Sequence, residues 1–385
     1  MKETKKQPVL SLNHYLLGVR FDNYLRLLAR AGFKIKPSKI PQTAFIGLLS
    51  LVLAPFALIE GAVCALPIAA TKIRKDPIFI LGHWRSGTTY LQNLMSRDPQ
   101  FGWAKPIQTA MFSNCALLGW ALKGGVQKGI KGSRPMDNVQ YDLSLPMEET
   151  FAIGNFTPYT LDHLLAFPIV WEKYVDCAFV DNLPRKQRDA FKRAYQYAIK
   201  KMTMLWKGKQ LVLKSPDNTA RIGCMLEMYP DAKFVNIYRD PYDTVRSSVN
   251  MILSQVNLVH LSPLPDTDIR ELLEDMVVER TFDMYKDLFA REESFKPGHY
   301  ISIKYEDFVQ SPEKYLRDIY EALELDGFEE ALPHFRAFIA EQKDYQTNKK
   351  SMNPRLREKI NKHLGFYFEH YGYEMITEEE TVTEG

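Results

Sequence analysis

Two short segments of this sequence combine glycine, arginine and hydroxyl side chains in an order suited to binding phosphate groups. The first, GHWRSGTT at 82–89, follows the apolar run PIFIL at 77–81, which is typical of a buried strand. Gly82 and Gly87 fit the G-x-x-x-x-G skeleton of a phosphate loop. Glycine lets the backbone turn its N–H groups onto an anion, and the helix predicted to begin at Thr88 adds a partial positive charge. The segment therefore predicts a site for a phosphate-like group.

The side chains of this loop fit an anion but differ from those of triphosphate hydrolases. Thr88 stands where a Walker loop has its lysine, and the cation of the loop is Arg85 instead. Ser86, Gly87 and Thr89 complete the candidate binding set. A P-loop kinase or NTPase is one alternative, which the missing lysine disfavours. A strand–helix turn without a ligand is another, but it does not explain the arginine and the two threonines.

The second segment also follows an apolar run typical of a strand, KFVNIY at 233–238. Arg239 comes directly after this run, and Ser247 lies eight positions later in a helix that Pro241 begins. The planar guanidinium group matches phosphate oxygens, and the serine hydroxyl adds a second donor. A surface turn and an ordinary helix serine are the alternative, but two independent anion motifs, each after a strand, make coincidence a poor explanation.

The elements around these segments alternate between short apolar runs and helical stretches. Strands are predicted at 77–81, 211–213, 233–238 and 300–303. Helices are predicted at 88–96, 185–206, 220–228, 241–253, 269–290, 312–325 and 354–370. This alternation predicts an α/β fold with a central parallel sheet flanked by helices, in which ligands bind beyond the carboxyl ends of the strands.

The two segments resemble the motifs of sulfotransferases that use 3′-phosphoadenylyl sulfate (PAPS). The run R-S-G-T-T is similar to their 5′-phosphosulfate loop, and the whole segment 82–89 resembles that of a bacterial branch. Arg239 and Ser247 match the pair that holds the 3′-phosphate in this family. The resemblance covers about 76–373 and implies a P-loop-like fold. It also implies transfer of a sulfuryl group from PAPS to an acceptor hydroxyl or amine, without a metal ion.

The same resemblance suggests roles for two further basic segments. Lys214, in the segment LVLKSP at 211–216, would lie beside the phosphosulfate and neutralise charge on the bridging oxygen. A solvated lysine at a strand end is the alternative. Lys349, Lys350 and Ser351 occupy the region where the family places a basic lid. Because the match is poor, we interpret this second segment as a charged surface loop.

The residue that removes the acceptor proton is expected among three side chains. The segment PMEETFA at 146–152 resembles a P-x-E-D-E-F-A segment of the bacterial branch, from which Thr150 departs. Glu149 and Glu148 are the candidate general bases, since a carboxylate of raised pKa suits this task. They could instead cap the following helix and face solvent. His83 is the third candidate, although inside the loop its ring could only pack or orient the phosphosulfate.

The first 75 residues form a separate N-terminal segment in this prediction, and 76–385 form the sulfotransferase domain. The stretch 43–70 is almost continuously apolar and long enough to cross a bilayer, with Glu60 as its one charge and Pro55 near its middle. Basic residues flank both ends. We expect a proline-broken hairpin that contacts a membrane, or otherwise a helix pair packed on the soluble domain. Membrane contact would favour a lipid or lipid-linked carbohydrate acceptor.

Composition narrows the class of protein. The 385 residues are 45% hydrophobic and 25% charged, as in a globular protein, and the net charge of +3 does not indicate a nucleic-acid-binding surface. The four scattered cysteines contain no C-x-x-C pair, which disfavours a zinc site and favours a reducing compartment. We therefore expect a location in the cytoplasm or on the cytoplasmic face of a membrane. A non-catalytic membrane adaptor is disfavoured because both anion motifs are intact.

Overall fold

The computed structural model describes residues 10–12, 14–129, 132–133, 140–141, 144–341 and 352–376. The chain packs as two compact units. Unit 1 comprises Met1–Arg74, Gly102–Leu211 and Ser254–Asp266, and unit 2 comprises Lys75–Phe101, Val212–Leu253 and Thr267–Gly385. The boundary between Arg74 and Lys75 lies at the predicted end of the N-terminal segment. However, residues 102–211 belong to the same unit as that segment. The division into 1–75 and 76–385 as folding domains stays a prediction.

The strands are short and the helices vary in length. The strands are β1 (Ile78–Leu81), β2 (Phe101–Gly102), β3 (Gly132–Ser133), β4 (Gln140–Tyr141), β5 (Gln210–Lys214), β6 (Lys233–Tyr238) and β7 (Tyr300–Lys304). The helices are α1 (Phe21–Arg30), α2 (Ile40–Ala70), α3 (Thr88–Met95), α4 (Pro106–Ala110), α5 (Gly119–Gly129), α6 (Thr150–Gly154), α7 (His163–Ala166), α8 (Glu172–Val175), α9 (Arg185–Leu205), α10 (Ile222–Met228), α11 (Pro241–Val259), α12 (Ile269–Arg291), α13 (Tyr305–Gln310), α14 (Pro312–Ala322), α15 (Phe328–Glu341) and α16 (Pro354–Tyr371).

The central sheet confirms the predicted α/β class. Its strand order is β2-β5-β1-β6-β7, and β1 pairs in parallel with both β5 and β6. All four residues of β1 are fully buried, as its uninterrupted apolar sequence requires in a sheet covered on both faces. Leu81, the last residue of β1, pairs with Asn236, two residues before the end of β6, so the carboxyl ends of both strands lie at the same edge of the sheet.

The apolar core of unit 2 lies between this sheet and three helices that pack on it. Side chains of β1 and β6 meet those of α3, α14 and α15 in one buried cluster. The helix α15 was not predicted, since Pro333 interrupts its helical pattern. The four predicted strands correspond to β1, β5, β6 and β7, and their predicted ends agree with the structure to within one residue.

The apolar stretch near the N-terminus forms one helix, so the predicted hairpin and the predicted helix pair are both wrong. The helix α2 runs through 31 residues and includes Pro55 and Pro67. A proline in a helix removes one hydrogen bond at a cost of about 3 kcal/mol. The neighbouring residues, which are rich in leucine and alanine, keep the other backbone hydrogen bonds of α2, so the helix continues through both prolines. Residues 37–70 are long and apolar enough to cross a membrane.

Glu60, the one charge of α2, is buried in unit 1 and fully engaged. Its carboxylate accepts hydrogen bonds from the backbone N–H groups of Ala116 and Leu117, at 3.0 and 2.8 Å. It also pairs with the Lys201 ammonium of α9, which donates to the Phe112 carbonyl oxygen as well. Burial lowers the pKa of Lys201, but nearby Cys115 and Glu60 more than offset it, so the net shift is upward. This ion pair fixes the rotation of α2 on its own unit.

Candidate active site

The loop between β1 and α3 has a backbone that requires its two glycines. Gly82 has φ +136° and Gly87 has φ +101°, both in the region that side chains rarely adopt. A Cβ atom at Gly82 would lie 2.5 Å from the Ile237 carbonyl oxygen, and one at Gly87 would overlap the Tyr305 ring. The glycines thus allow the close approach of β6 and α13 to the loop.

Arg85 of the first motif and Ser247 of the second are in direct contact. The Nε atom of Arg85 donates to Ser247 Oγ at 2.9 Å, across 162 positions of sequence. Arg239 donates from Nη1 to the Arg85 carbonyl oxygen at 3.3 Å. The three side chains named by the two motifs therefore form one cluster in unit 2, on neighbouring strands at the same edge of the sheet.

Side chains that sequence reasoning did not single out hold Arg239 in place. Its Nη2 donates to the Asp243 carboxylate at 2.8 Å, and its guanidinium carbon lies 4.6 Å from the centre of the Tyr305 ring. The Tyr367 hydroxyl donates to the Arg239 carbonyl oxygen at 2.8 Å. Asp243 also pairs with Arg246. The i, i+4 spacing of Arg239 and Asp243 was a readable signal for the first contact, whereas the two tyrosines come from distant segments.

His83 is fully buried, and its surroundings favour a structural role. Its Nδ1 lies 3.0 Å from the Trp84 carbonyl oxygen, which can only accept, so the proton of the neutral ring is assigned to Nδ1. Nε2 lies 3.0 Å from Thr281 Oγ1, whose hydroxyl donates to the Val277 carbonyl oxygen at 2.6 Å. Ser248 and the Tyr285 hydroxyl also contact this residue. Burial lowers the pKa of His83 to about 4.

The other loop residues lie in the turn that follows β1 and at the start of α3. Ser86 is buried, and its hydroxyl donates to the His83 carbonyl oxygen at 2.8 Å, so it closes the turn. Thr88 begins α3 and is buried, while Thr89 is partly exposed. The backbone N–H of Gly82 donates to Thr219 Oγ1 at 2.9 Å, which ties the loop to the segment after β5.

Lys214 is the last residue of β5 and is buried rather than solvated. It pairs in register with Ile80 of β1, one residue before the strand end that leads into the loop. Its relative exposure is 2%, and that of the adjacent Ser215 is 0%. Burial of a lysine at the carboxyl edge of the sheet argues against the solvated alternative, since ammonium groups are rarely buried without a counter-charge or a role.

The candidate general bases lie in unit 1. Glu149 is fully buried, and its Oε1 accepts a hydrogen bond from the Tyr195 hydroxyl at 3.0 Å. It occupies the position before α6 but makes no side-chain capping bond, so it neither caps the helix nor faces solvent. Glu148 is partly exposed. The basic segment Lys349–Ser351 lies outside the described residues. Within the described ranges, no group of three or more His, Cys, Asp or Glu side chains could hold a metal ion.

Comparison with known proteins agrees with this fold and shows the family of the chain. The sulfotransferase family model matches residues 77–330. The omega-hydroxy-beta-dihydromenaquinone-9 sulfotransferases Stf3 of Mycobacterium bovis and Mycobacterium tuberculosis are each 30% identical to the chain over 366 residues, which cover 94% of this chain and 92% of the relative.

Two solved structures share the fold at lower identity. Sulfotransferase STF9 from Mycobacterium avium has a TM-score of 0.64 at 17% identity, and covers 93% of this chain and 98% of its own. Sulfotransferase STF1 from Mycobacterium tuberculosis has a TM-score of 0.58 at 15% identity, with 89% and 93% covered. The family match and the fold place the chain among group-transfer enzymes. The chain belongs to the sulfotransferase family, and the kinase or NTPase alternative is set aside.

The buried ring of His83 predicts a pH-dependent stability. An unfolded histidine has a pKa of about 6.5, so between pH 6.5 and about 4 the unfolded chain binds a proton that the folded chain excludes. The free energy of unfolding should therefore fall as the pH is lowered through this window, by up to about 1.4 kcal/mol per pH unit for this residue. Urea unfolding of the wild type and His83→Asn at pH 7 to 4.5 should show a shallower slope in the variant. The exposed His334→Asn is the control, and an unchanged slope in His83→Asn contradicts the assignment.

Proposed function

We propose that this enzyme transfers the sulfuryl group of PAPS to the hydroxyl group of an apolar lipid. The observation that carries the donor assignment is the contact of Arg85 with Ser247, with Arg239 beside them. An arginine pair and a hydroxyl group on one sheet edge suit the two separate phosphate groups of a 3′,5′-bisphosphorylated nucleotide. PAPS supplies an activated sulfuryl group whose leaving group is this bisphosphate.

The loop residues bind and orient the sulfuryl end of the donor in this proposal. Arg85, Ser86, Gly87, Thr88 and Thr89 surround the 5′-phosphosulfate with N–H and hydroxyl donors at the start of α3. Sulfuryl transfer is an in-line displacement in which charge grows on the leaving oxygen, as in phosphoryl transfer. A cation placed there stabilises the transition state more than the ground state.

Lys214 and His83 have different roles around this loop. Lys214, buried at the end of β5, is the second cation proposed to stabilise the leaving oxygen. Both ring nitrogens of His83 are engaged within the protein, since Nδ1 lies against the Trp84 carbonyl oxygen and Nε2 lies 3.0 Å from Thr281 Oγ1. We therefore assign it a positioning role and not that of the base.

Glu149 is the proposed general base. A buried carboxylate with one oxygen held by a tyrosine hydroxyl has a fixed direction, which the partly exposed Glu148 lacks. It would accept the proton of the acceptor hydroxyl as the new O–S bond forms. The Tyr195 hydroxyl would keep the carboxylate oriented.

The lipid class of the acceptor rests on two observations. The name of the relative Stf3 identifies its acceptor as an omega-hydroxylated dihydromenaquinone. The helix α2 exposes large apolar side chains, among them Leu58 at 72% and Leu66 at 81%. We propose that the protein is associated with the cytoplasmic face of a membrane. The four buried free thiols agree with a reducing compartment.

Nucleotide binding tests the donor assignment. Adenosine 3′,5′-bisphosphate should raise the melting temperature, whereas ATP with magnesium should not. Calorimetric titration should show that Arg239→Ala weakens bisphosphate binding about 10- to 100-fold, and Ser247→Ala about fivefold, from the strength of charge-assisted hydrogen bonds. Ser294→Ala, an exposed serine of the same unit, is the matched control. Stabilisation by ATP alone, or wild-type affinity in both variants, would refute the donor.

Transfer of labelled sulfate tests the acceptor. With PAPS as donor, a long-chain prenyl alcohol in detergent micelles should give a kcat/KM at least about tenfold above that of soluble monosaccharides, since apolar burial adds binding energy for each methylene group. Arg85→Ala should nearly abolish product from every acceptor. Labelled product from soluble sugars alone would overturn the lipid assignment and leave the donor assignment intact.

The two glutamates provide a matched pair for the general base. Glu149→Gln should lower kcat about 10²- to 10⁴-fold with unchanged bisphosphate affinity, because the substitution keeps the size of the side chain and removes its basicity. Glu148→Gln should keep most of the activity. Tyr195→Phe should lower kcat less than Glu149→Gln does, since it frees the carboxylate without removing it. Loss of activity in Glu148→Gln with a normal Glu149→Gln would reverse the assignment.

A further inference from the structure

One face of α2 is apolar and exposed along most of the helix. We call it the outer face of α2; its large side chains are Leu48, Leu51, Val52, Phe56, Leu58, Ile59, Val63 and Leu66, each between 44% and 81% exposed. A patch of this extent on a folded protein marks a surface that contacts a partner or a membrane.

The opposite face of α2 is buried from one end of the helix to the other. Gln42 and Ile68, near the two ends, are 5% exposed, and Glu60 is 1% exposed. Helices α1 and α9 of the same unit pack on this face. If α2 crossed a bilayer, its buried face would carry the Glu60–Lys201 ion pair and the helices around it into the hydrocarbon, where charged groups are costly. The packing therefore excludes a simple crossing helix.

Charges at both ends of α2 indicate how the outer face meets lipid. Three basic residues precede the helix (Lys34, Lys36, Lys39) and three follow it (Lys72, Arg74, Lys75). Cationic side chains remain at the level of the headgroups and are attracted by anionic lipids. A helix of 31 residues is about 46 Å long. Because the packing excludes a crossing, we expect both basic ends at the same headgroup layer and the helix along the surface.

An exposed tryptophan of the same unit is a further side chain suited to a membrane boundary. Trp120 of α5 is 82% exposed and lies three residues after Leu117, whose N–H group binds Glu60 of α2. Tryptophan is enriched at the boundary between headgroups and hydrocarbon, where its ring is buried and its N–H stays hydrated. Lys123 follows in the same helix.

We propose that α2 binds in the plane of an anionic lipid bilayer, with its outer face in the lipid and its rotation fixed by the Glu60–Lys201 ion pair. Neither end of the helix crosses to the other side of the membrane. This inference goes beyond the proposed reaction, because it holds whichever molecule accepts the sulfuryl group.

Vesicle flotation tests the surface. The full chain should float with vesicles of phosphatidylcholine and phosphatidylglycerol, and less with phosphatidylcholine alone or in high salt. The double variant Leu58→Glu, Leu66→Glu should lose binding by about 100-fold or more, as two exposed leucines no longer enter the lipid. Val309→Glu, which changes an exposed apolar residue of α13, is the matched control. The melting temperature and bisphosphate affinity should be unchanged in all variants.

Labelling of the helix ends tests the orientation. Ser38→Cys and Lys72→Cys each place a thiol at an exposed position beyond one end of α2, and the unaltered chain with its buried thiols is the control. After binding to preformed sealed vesicles, both positions should react with a membrane-impermeant maleimide, and Trp120 fluorescence should shift to the blue. Protection of one end would overturn the in-plane arrangement. A dimer that the double variant disrupts, without vesicle binding, would show that a second copy covers the outer face.

Discussion

The active-site proposal depends on one constraint, the parallel pairing of β1 with β6. Because the two strands are neighbours and run in the same direction, the residues that follow them meet at one edge of the sheet. Arg85 and Arg239, which are 154 positions apart, are thereby brought into contact. An antiparallel β6 would place Arg239 at the opposite edge, and one nucleotide could not reach both arginines.

Local patterns made this part of the structure predictable from the sequence. Apolar runs mark the four long strands, and the glycine spacing and Pro241 mark the turns that follow two of them. The Glu60–Lys201 pair was not predictable, because 141 positions separate its members and neither has a motif around it. The unbroken course of α2 was not predictable either, because Pro55 suggested a break in the helix. The proline costs less than the rest of a long, well-packed helix contributes, and packing is not visible in a local pattern.

The burial of side chains was the second property that the sequence did not show. His83 and Glu149 both stood as candidate bases, since residue type alone cannot separate them. The structure buries both: His83 lies in contact with Trp84 and Thr281, and the Tyr195 hydroxyl donates to one carboxylate oxygen of Glu149. Apart from Trp84, the partners Tyr195, Ser248 and Thr281 lie 46, 165 and 198 positions from the residue they contact, and no spacing rule predicts them.

The backbone of Arg85 connects the fold to its chemistry. Its φ of +71° is unusual for a residue with a side chain and costs on the order of 1–3 kcal/mol. A glycine would remove this strain, as it does at positions 82 and 87, but would also remove the guanidinium group. The left-handed turn directs the Arg85 carbonyl oxygen at Arg239 while the side chain reaches Ser247. In the proposed mechanism, this strained backbone lets one residue orient the second arginine through its carbonyl oxygen and contact the anion through its side chain.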